Sequence, residues 1–173
     1  MQDAEAIRRC RQGDLEAFGH LVRRYQQRAL GHARALTGND ADAADAAQNA
    51  FLDAFVHLGG FDETREFYPW FYVLLRNRCY KQRARVRDRA DASAVVDTAV
   101  ETGPAEERYD VRRALDRLPI DDRELIVLKH MDGWTYDELA VRLEIPRGTV
   151  MSRLFHARQR LKALISNPER ARP

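Results

Sequence analysis

The chain has 173 residues, of which 45% are hydrophobic and 32% charged, with a formal net charge of +2. That composition supplies packed cores for one medium domain or two small ones. No apolar run reaches the roughly 18 residues of a membrane span, and the polar start MQDAEAIRRC lacks the apolar core of a secretory leader. Cys10 and Cys79 have neither CxxC spacing nor nearby histidines, so buried or idle thiols of a reducing cytosol are expected rather than a disulfide or zinc site.

The charge is segregated along the chain: −6 over residues 40–66, +6 over 67–90, −7 over 91–146 and +6 over 147–173. Two basic segments set between acidic ones mark two places to grip a polyanion and other faces for a basic partner.

In chain order, Asp14 caps a helix running to about Leu36, with Phe18, Leu21, Val22, Tyr25 and Ala29 on one side. Gly38 stops it, and Asn39 or Asp40 opens the next helix, Ala41 to about Leu58. There Ala44, Ala47, Phe51, Ala54, Phe55 and Leu58 form the apolar stripe, and Gly59-Gly60 ends it. The loop FDETRE leads to a helix from about Phe67 to Arg89, with Pro69 tolerated in its first turn.

This third helix interleaves Phe67, Tyr68, Trp70, Phe71, Tyr72 and Tyr80 with Arg76, Arg78, Lys81, Arg83, Arg85 and Arg87. Rings that stack on unpaired bases, beside cations that follow the backbone, suit single-stranded nucleic acid. Phe67, Phe71 and Val73 or Leu74 are expected inside. Trp70, Tyr72 and Tyr80 are open between core and nucleic acid. Phe61, beside two glycines, is expected to be an exposed ring.

DASAVVDTAVETGPAEE, Asp91 to Glu107, is small, acidic and broken by Gly103-Pro104, and reads as a linker. A helix from about Glu107 to Leu118 then ends at Pro119. Asp121, with Glu124 three residues on, is expected to cap a second helix to about Met131, and Asp132-Gly133 turns the chain. Thr135 with Glu138 forms a capping-box pattern, with Trp134 and Leu139 as its hydrophobic staple.

The helix that this box opens stops before Pro146 and a further helix starts at once, with a tight turn near Glu144-Ile145. The restarted helix carries Arg147, Arg153, Arg158, Arg160 and Lys162 and no acid up to Ser166. Val150, Leu154, Ala157 and Leu161 fall on its inner stripe; Gly148, Ser152, Phe155, His156 and Gln159 fall opposite. The arrangement is a helix-turn-helix whose second helix fits the major groove of duplex DNA. A module for paired bases beside one for unpaired bases points to promoter recognition followed by strand opening.

From about Asp14 to Leu164 the chain resembles a bacterial RNA polymerase sigma factor of the extracytoplasmic-function class. DAADAAQNAFLDAF (Asp42 to Phe55) is similar to the family's polymerase-binding helix, D-x-x-D-x-x-Q-x-x-F. FYPWFYVLLRN (Phe67 to Asn77) is similar to its promoter-melting segment. LPIDDRELIVLKHMDGWTYDELAVRLEIPRGTVMSRLFHARQRL resembles the region that reads the −35 element, with GTVxSRLxxAR its most specific piece.

The resemblance implies an all-α protein of two small helical domains joined by a flexible linker, the C-terminal one a helix-turn-helix domain. Its parts would be residues 1–89 for core polymerase and the −10 element, 90–106 as linker, 107–165 for the −35 element, and a 166–173 tail. Asp42, Asp45, Gln48, Asn49, Leu52 and Asp53 would dock on the clamp helices of the polymerase largest subunit, with a further contact to the flap. Phe61, Asp62, Arg65, Trp70, Tyr72, Arg76, Asn77, Lys81 and Arg83 would hold the −10 single strand, with one base flipped at a cost of a few kcal/mol. Arg147, Thr149, Ser152, Arg153, Phe155, His156 and Gln159 would meet the −35 duplex. An anti-sigma protein is the implied regulator, the cytoplasm and its nucleoid the implied place, and no cofactor or metal is implied. Three positions depart from the family's usual pattern: Asn49 stands for an acid, Met151 for a basic residue and His156 for an arginine.

Catalysis is not expected. Asp42, Asp45, Asp53, His130 and His156 have no metal-ligand spacing, and no nucleophile motif or phosphate loop accompanies them. The alternative is a stand-alone helix-turn-helix regulator of duplex DNA, which would leave the aromatic segment and the acidic second helix without a role.

Overall fold

The computed structural model describes residues 1–92 and 106–166, and for 86–110 the backbone alone where it is described. Every regular element among these residues is helical. The chain divides into two compact units, Met1–Ala94 and Val95–Pro173.

The first unit begins with a helix that the sequence reading did not contain, α1 (Asp3–Arg11). Its acids, Asp3 and Glu5, sit in the first turn and Arg8, Arg9 and Arg11 in the last, each sign favoured by the helix dipole. Ala6, Ile7 and Cys10 form its buried side. It is fastened to α2 (Leu15–Thr37) by Asp3, which accepts the Tyr25 hydroxyl and pairs with Arg24 at 3.1 Å. Burial, and then Asp3 itself, push the Tyr25 phenol up to about 12.

The next boundaries follow the local rules. The Asp14 carboxylate accepts the Ala17 N–H at 3.2 Å and starts α2. Gly38 ends it at φ 90°, a left-handed turn that glycine adopts without a Cβ penalty. The Asn39 side chain accepts the Asp42 N–H at 2.8 Å and opens α3 (Asp40–His57). A 3-10 turn, Leu58–Gly60, leads through the loop to α4 (Phe67–Ala92).

α4 packs against both α2 and α3, and so buries a double stripe: Phe67, Tyr68, Phe71, Tyr72, Leu75 and Cys79. Phe71 stacks on Phe51 of α3 with centroids 4.4 Å apart, and Tyr72 sets its ring edge-on to His32 of α2 at 5.2 Å. The Tyr68 hydroxyl and His32 Nδ1 share a buried hydrogen bond of 2.8 Å.

Three expectations are corrected here. Phe61 is not exposed: it is 4% accessible, tilted against Trp70 at 4.8 Å and edge-on to Phe67 at 6.1 Å. Tyr72, 2% accessible, belongs wholly to the core, because α4 is covered from two sides. Leu75 fills the place expected of Val73 or Leu74; Val73 is exposed and Leu74 half-buried. Cys10 and Cys79 are buried thiols, as expected.

The second unit comprises α5 (Glu106–Asp116), α6 (Ile120–Met131), α7 (Tyr136–Leu143) and α8 (Arg147–Ser166). The start of α6 differs from expectation: Pro119 holds the cap position with no side-chain bond, and Asp121 lies within the first turn. Pro119 has no side-chain acceptor to offer, and its carbonyl accepts the first intrahelical bond, from the Arg123 N–H at 3.0 Å. Buried Arg123 binds the end of α5 to α6, donating to the carbonyl oxygens of Asp116 and Leu118.

The capping box at α7 is complete. The Glu138 N–H donates to Thr135 Oγ1 at 3.2 Å, and the Glu138 carboxylate accepts the Thr135 N–H at 2.7 Å. Trp134 and Leu139 are both buried beside it. Glu144 then takes φ 54° and ψ 40°, the left-handed conformation that turns α7 into α8. The Pro146 carbonyl accepts the Val150 N–H at 3.0 Å, so α8 starts immediately past the proline. The expected linker, residues 90–106, lies outside the described residues except at its ends, as does the tail beyond Ser166.

Candidate functional site

The helix-turn-helix face is built by α7, the Glu144 turn and α8. Val150, Leu154 and Ala157 are buried against the unit. Gly148, Ser152, Phe155, His156 and Gln159 are exposed on the other side, as their spacing indicates. Phe155 meets His156 edge-on at 5.4 Å, and Ser152 Oγ donates back to the Thr149 carbonyl at 3.1 Å.

Several cations of α8 already have partners within the unit. Arg147 pairs with Asp137 at 3.3 Å, Arg158 Nε donates to His130 Nε2 at 3.2 Å, and Arg160 pairs with Asp122. Arg153 and Lys162 have none among the described residues and are exposed. Burial, then the charges of Arg158 and Lys129, hold His130 below its ordinary pKa, which keeps its ring neutral and able to accept.

On the first unit, the acidic helix α3 divides its side chains between two neighbours. Asp42 accepts Gln82 of α4 at 2.7 Å and Asp53 pairs with Arg78 of α4, so these carboxylates lie along the α4 edge. The Arg78 hydrogen bond is the main reason Asp53 titrates below the usual carboxylate range. Asp45, Gln48, Asn49 and Leu52 are exposed, with Asn49 Nδ2 donating to the Asp45 carbonyl at 2.7 Å.

On its other edge α3 faces α2 across an apolar groove of about 380 Å³. Phe18, Val22 and Leu30 form one wall; Ala44, Phe51, Leu52 and Phe55 form the other, with Gln26 and Gln48 the polar side chains. Phe18 and Phe55 meet edge to face at 5.2 Å. Phe55, read from the sequence as core, is 40% exposed, and Ala44 is also exposed, because the α3 stripe is rotated toward Ala43, Ala46, Ala50 and Ala54. Phe18, Val22 and Phe55 are groove residues that the sequence reading did not assign; their apolar spacing alone does not separate a groove wall from a core.

The basic helix and its preceding loop form the third surface. Asp62, Arg65, Asn77 and Lys81 are exposed, while Trp70 is half-buried against Phe61 and Phe67. Asp62 organises the loop: its carboxylate accepts the Thr64 N–H at 3.0 Å and hydroxyl at 2.7 Å, and is held below its usual pKa chiefly by that hydroxyl. Arg76 lies over the Tyr80 ring at 4.5 Å. Arg83 donates to the Leu36 carbonyl at the end of α2 at 3.0 Å, so it also fastens α4. Arg11 of α1, unassigned from the sequence, donates to the Leu58 and Phe61 carbonyl oxygens at the head of the loop. Among the described residues no group of His, Cys, Asp or Glu is arranged to hold a metal ion, and no helix is long and apolar enough to cross a membrane.

A helix-turn-helix unit with an exposed cationic helix, carried on one chain with a helical unit of aromatic, basic and acidic faces, defines the class of promoter-recognising initiation proteins. Residues 21–90 match the family Sigma-70 region 2, and residues 108–161 match Sigma-70, region 4. The RNA polymerase sigma-H factor of Pseudomonas aeruginosa is 32% identical, with 94% of each chain covered. The ECF RNA polymerase sigma-E factor of Escherichia coli K12 is 31% identical over 92% of each. Of solved structures, the sigma factor RpoE in complex with the anti-sigma factor NepR from Bartonella quintana superimposes with TM-score 0.76 at 27% identity, covering 88% of this chain and 98% of that one. CnrH in complex with the cytosolic domain of CnrY gives 0.72 at 27%, covering 95% and 97%. The chain belongs to the extracytoplasmic-function family of RNA polymerase sigma factors, which are transcription initiation factors.

Proposed function

We propose that the chain divides initiation between its two units without catalysis of its own. The α2–α3 groove and the exposed side of α3, with Asp45, Gln48, Asn49 and Leu52, dock on the polymerase clamp helices; Asp42 and Asp53 steady that surface from the α4 edge. Asp62, Arg65, Trp70, Arg76, Asn77 and Lys81 hold the −10 single strand, on a scaffold made by Phe61, Tyr72 and Arg83. Arg147, Thr149, Ser152, Arg153, Phe155, His156 and Gln159 meet the −35 duplex.

The observation that carries this reading over a stand-alone regulator is the groove. Exposed Leu52 and Phe55 of the acidic helix, with half-buried Phe18 across the groove from them, suit docking of a protein, and binding duplex DNA alone gives them no role. An anti-sigma protein is proposed as the regulator, because the similar sigma factor RpoE is solved in complex with the anti-sigma factor NepR. The site of action is the bacterial cytoplasm, at the nucleoid.

Reconstitution with bacterial core polymerase tests the proposal. Run-off transcript that depends on this chain supports it. Tight sequence-specific duplex binding by the chain alone, unaltered by polymerase and yielding no transcript, establishes the regulator instead.

A further inference from the structure

The outward face of α8 is not uniformly polar. Met151 is 49% and Phe155 56% exposed, and being four residues apart they are neighbours on the helix surface. Gly148, one turn before Met151, leaves open space where a Cβ would stand, so nothing fills the approach to the pair. At about 100° per residue, Met151 and Phe155 lie on the same side of the outward line through Ser152 and Gln159 as Arg147, Arg158 and Lys162.

A half-exposed apolar pair on a cationic helix that carries no acid of its own, with Asp137 of α7 already paired to Arg147, needs a partner that is anionic overall and apolar at one point. A protein helix that covered the pair would also have to meet the surrounding Arg147, His156, Arg158 and Lys162. In the major groove the one apolar group on a base edge is the thymine C5-methyl, which apolar side chains contact directly, and phosphates lie on either side of it. We infer that Met151 and Phe155 form an apolar contact for thymine methyl groups in the −35 element, and that Met151 is a specificity-determining residue of this chain. The inference rests on the reading that α8 enters the major groove.

The test uses holoenzyme assembled from the full chain and core polymerase. Duplexes randomised over the −35 element are selected for binding, and each thymine of the selected sequence is then replaced by deoxyuridine, which removes only the methyl group. At one or two thymines the replacement weakens binding about three- to fivefold, the value of one buried methyl. Holoenzyme carrying Met151→Ala or Phe155→Ala binds the thymine and deoxyuridine duplexes equally at one of those positions. Met151→Arg exchanges the preference there from thymine to guanine, whose O6 and N7 accept a guanidinium.

Deoxyuridine without effect at every thymine, or with equal effect on parent and alanine variants, overturns the inference while leaving α8 a DNA reader. If the alanine variants instead lose polymerase and show no methyl dependence, the pair docks protein and the inference is overturned. Selection that yields no −35 preference at all refutes the parent reading and the inference with it.

Discussion

The Arg11 guanidinium donates to the Leu58 carbonyl oxygen from both Nε, at 3.2 Å, and Nη2, at 3.0 Å, across 47 residues of sequence. The same Nη2 reaches the Phe61 carbonyl, so α1 closes over the turn from which the Asp62 loop departs. Arg11→Met removes a charged donor from partly buried carbonyls, and a loss of about 1–3 kcal/mol from the first unit is expected. Thermal denaturation measures that loss. Permanganate reactivity of −10 thymines is expected to fall more than polymerase binding, because the loop and not the groove loses its anchor. An unchanged melting temperature would show that the loop holds its place without Arg11.

Asp45 and Asp53 lie on one helix, but Asp45 is exposed while Asp53 pairs with Arg78 of α4, and their substitutions separate docking from folding. Asp45→Arg is expected to abolish co-purification with core polymerase and leave the helical circular dichroism unchanged, since Asp45 is exposed. Asp53→Asn is expected to lower stability by about 1 kcal/mol through the loss of a partly exposed pair with Arg78. Because Asp53 titrates low in the folded chain, its stabilisation is complete above the ordinary aspartate pKa and disappears as pH falls through the depressed value. Acid melts of parent and Asp53→Asn chains should therefore converge at low pH.

Arg153 is exposed and has no internal partner among the described residues. Arg153→Ala is expected to weaken promoter binding and to reduce the slope of log affinity against log salt by about one, the value of a single phosphate contact. Filter binding over a salt series measures it; an unaltered slope would mean that Arg153 touches no phosphate.

His130 gives the second unit a pH dependence of known sign. Its folded pKa lies below the unfolded value of about 6.5, so the unfolded chain binds more protons as pH falls through that window. Stability contributed by neutral His130 is complete above about 6.5 and declines below it, and protonation also breaks the bond that His130 accepts from Arg158. Thermal melts from pH 7.5 down to pH 5.5 should show the decline in the parent and a flatter profile in His130→Gln.

The helix boundaries were legible wherever a local rule sets them. The caps at Asp14 and Asn39, the left-handed Gly38 and the Thr135–Glu138 box each involve residues within three or four positions, which a sequence displays directly. α1 was not legible because it is only nine residues long and no side-chain cap marks its start, although Ala6, Ile7 and Cys10 recur at helical spacing. The aromatic helix misled for a different reason. Phe67 and Phe71 are inside as expected, but Tyr72 is covered because α2 and α3 both flank α4, and Phe61 because Trp70 packs against it, relations that lie outside the spacing of a single helix. In the candidate site, α5, α6 and α7 cover one stripe of α8, so its periodicity sorted Val150, Leu154 and Ala157 from the outer face, with Leu161 only half-buried. The α2–α3 groove arises from a gap between two helices, which neither helix's own pattern contains.

The ion pairs that α8 forms with α6 and α7 bear on how the chain moves along a chromosome. Any stretch of duplex must compete with Asp137 and Asp122 for the guanidiniums of Arg147 and Arg160. On the proposed reading, Arg147 and Arg160 therefore contribute less to a casual encounter than Arg153 and Lys162, which are exposed and have no such partner among the described residues. The same polypeptide segment, cut free of its helical neighbours, would be a stickier and less selective ligand for nucleic acid.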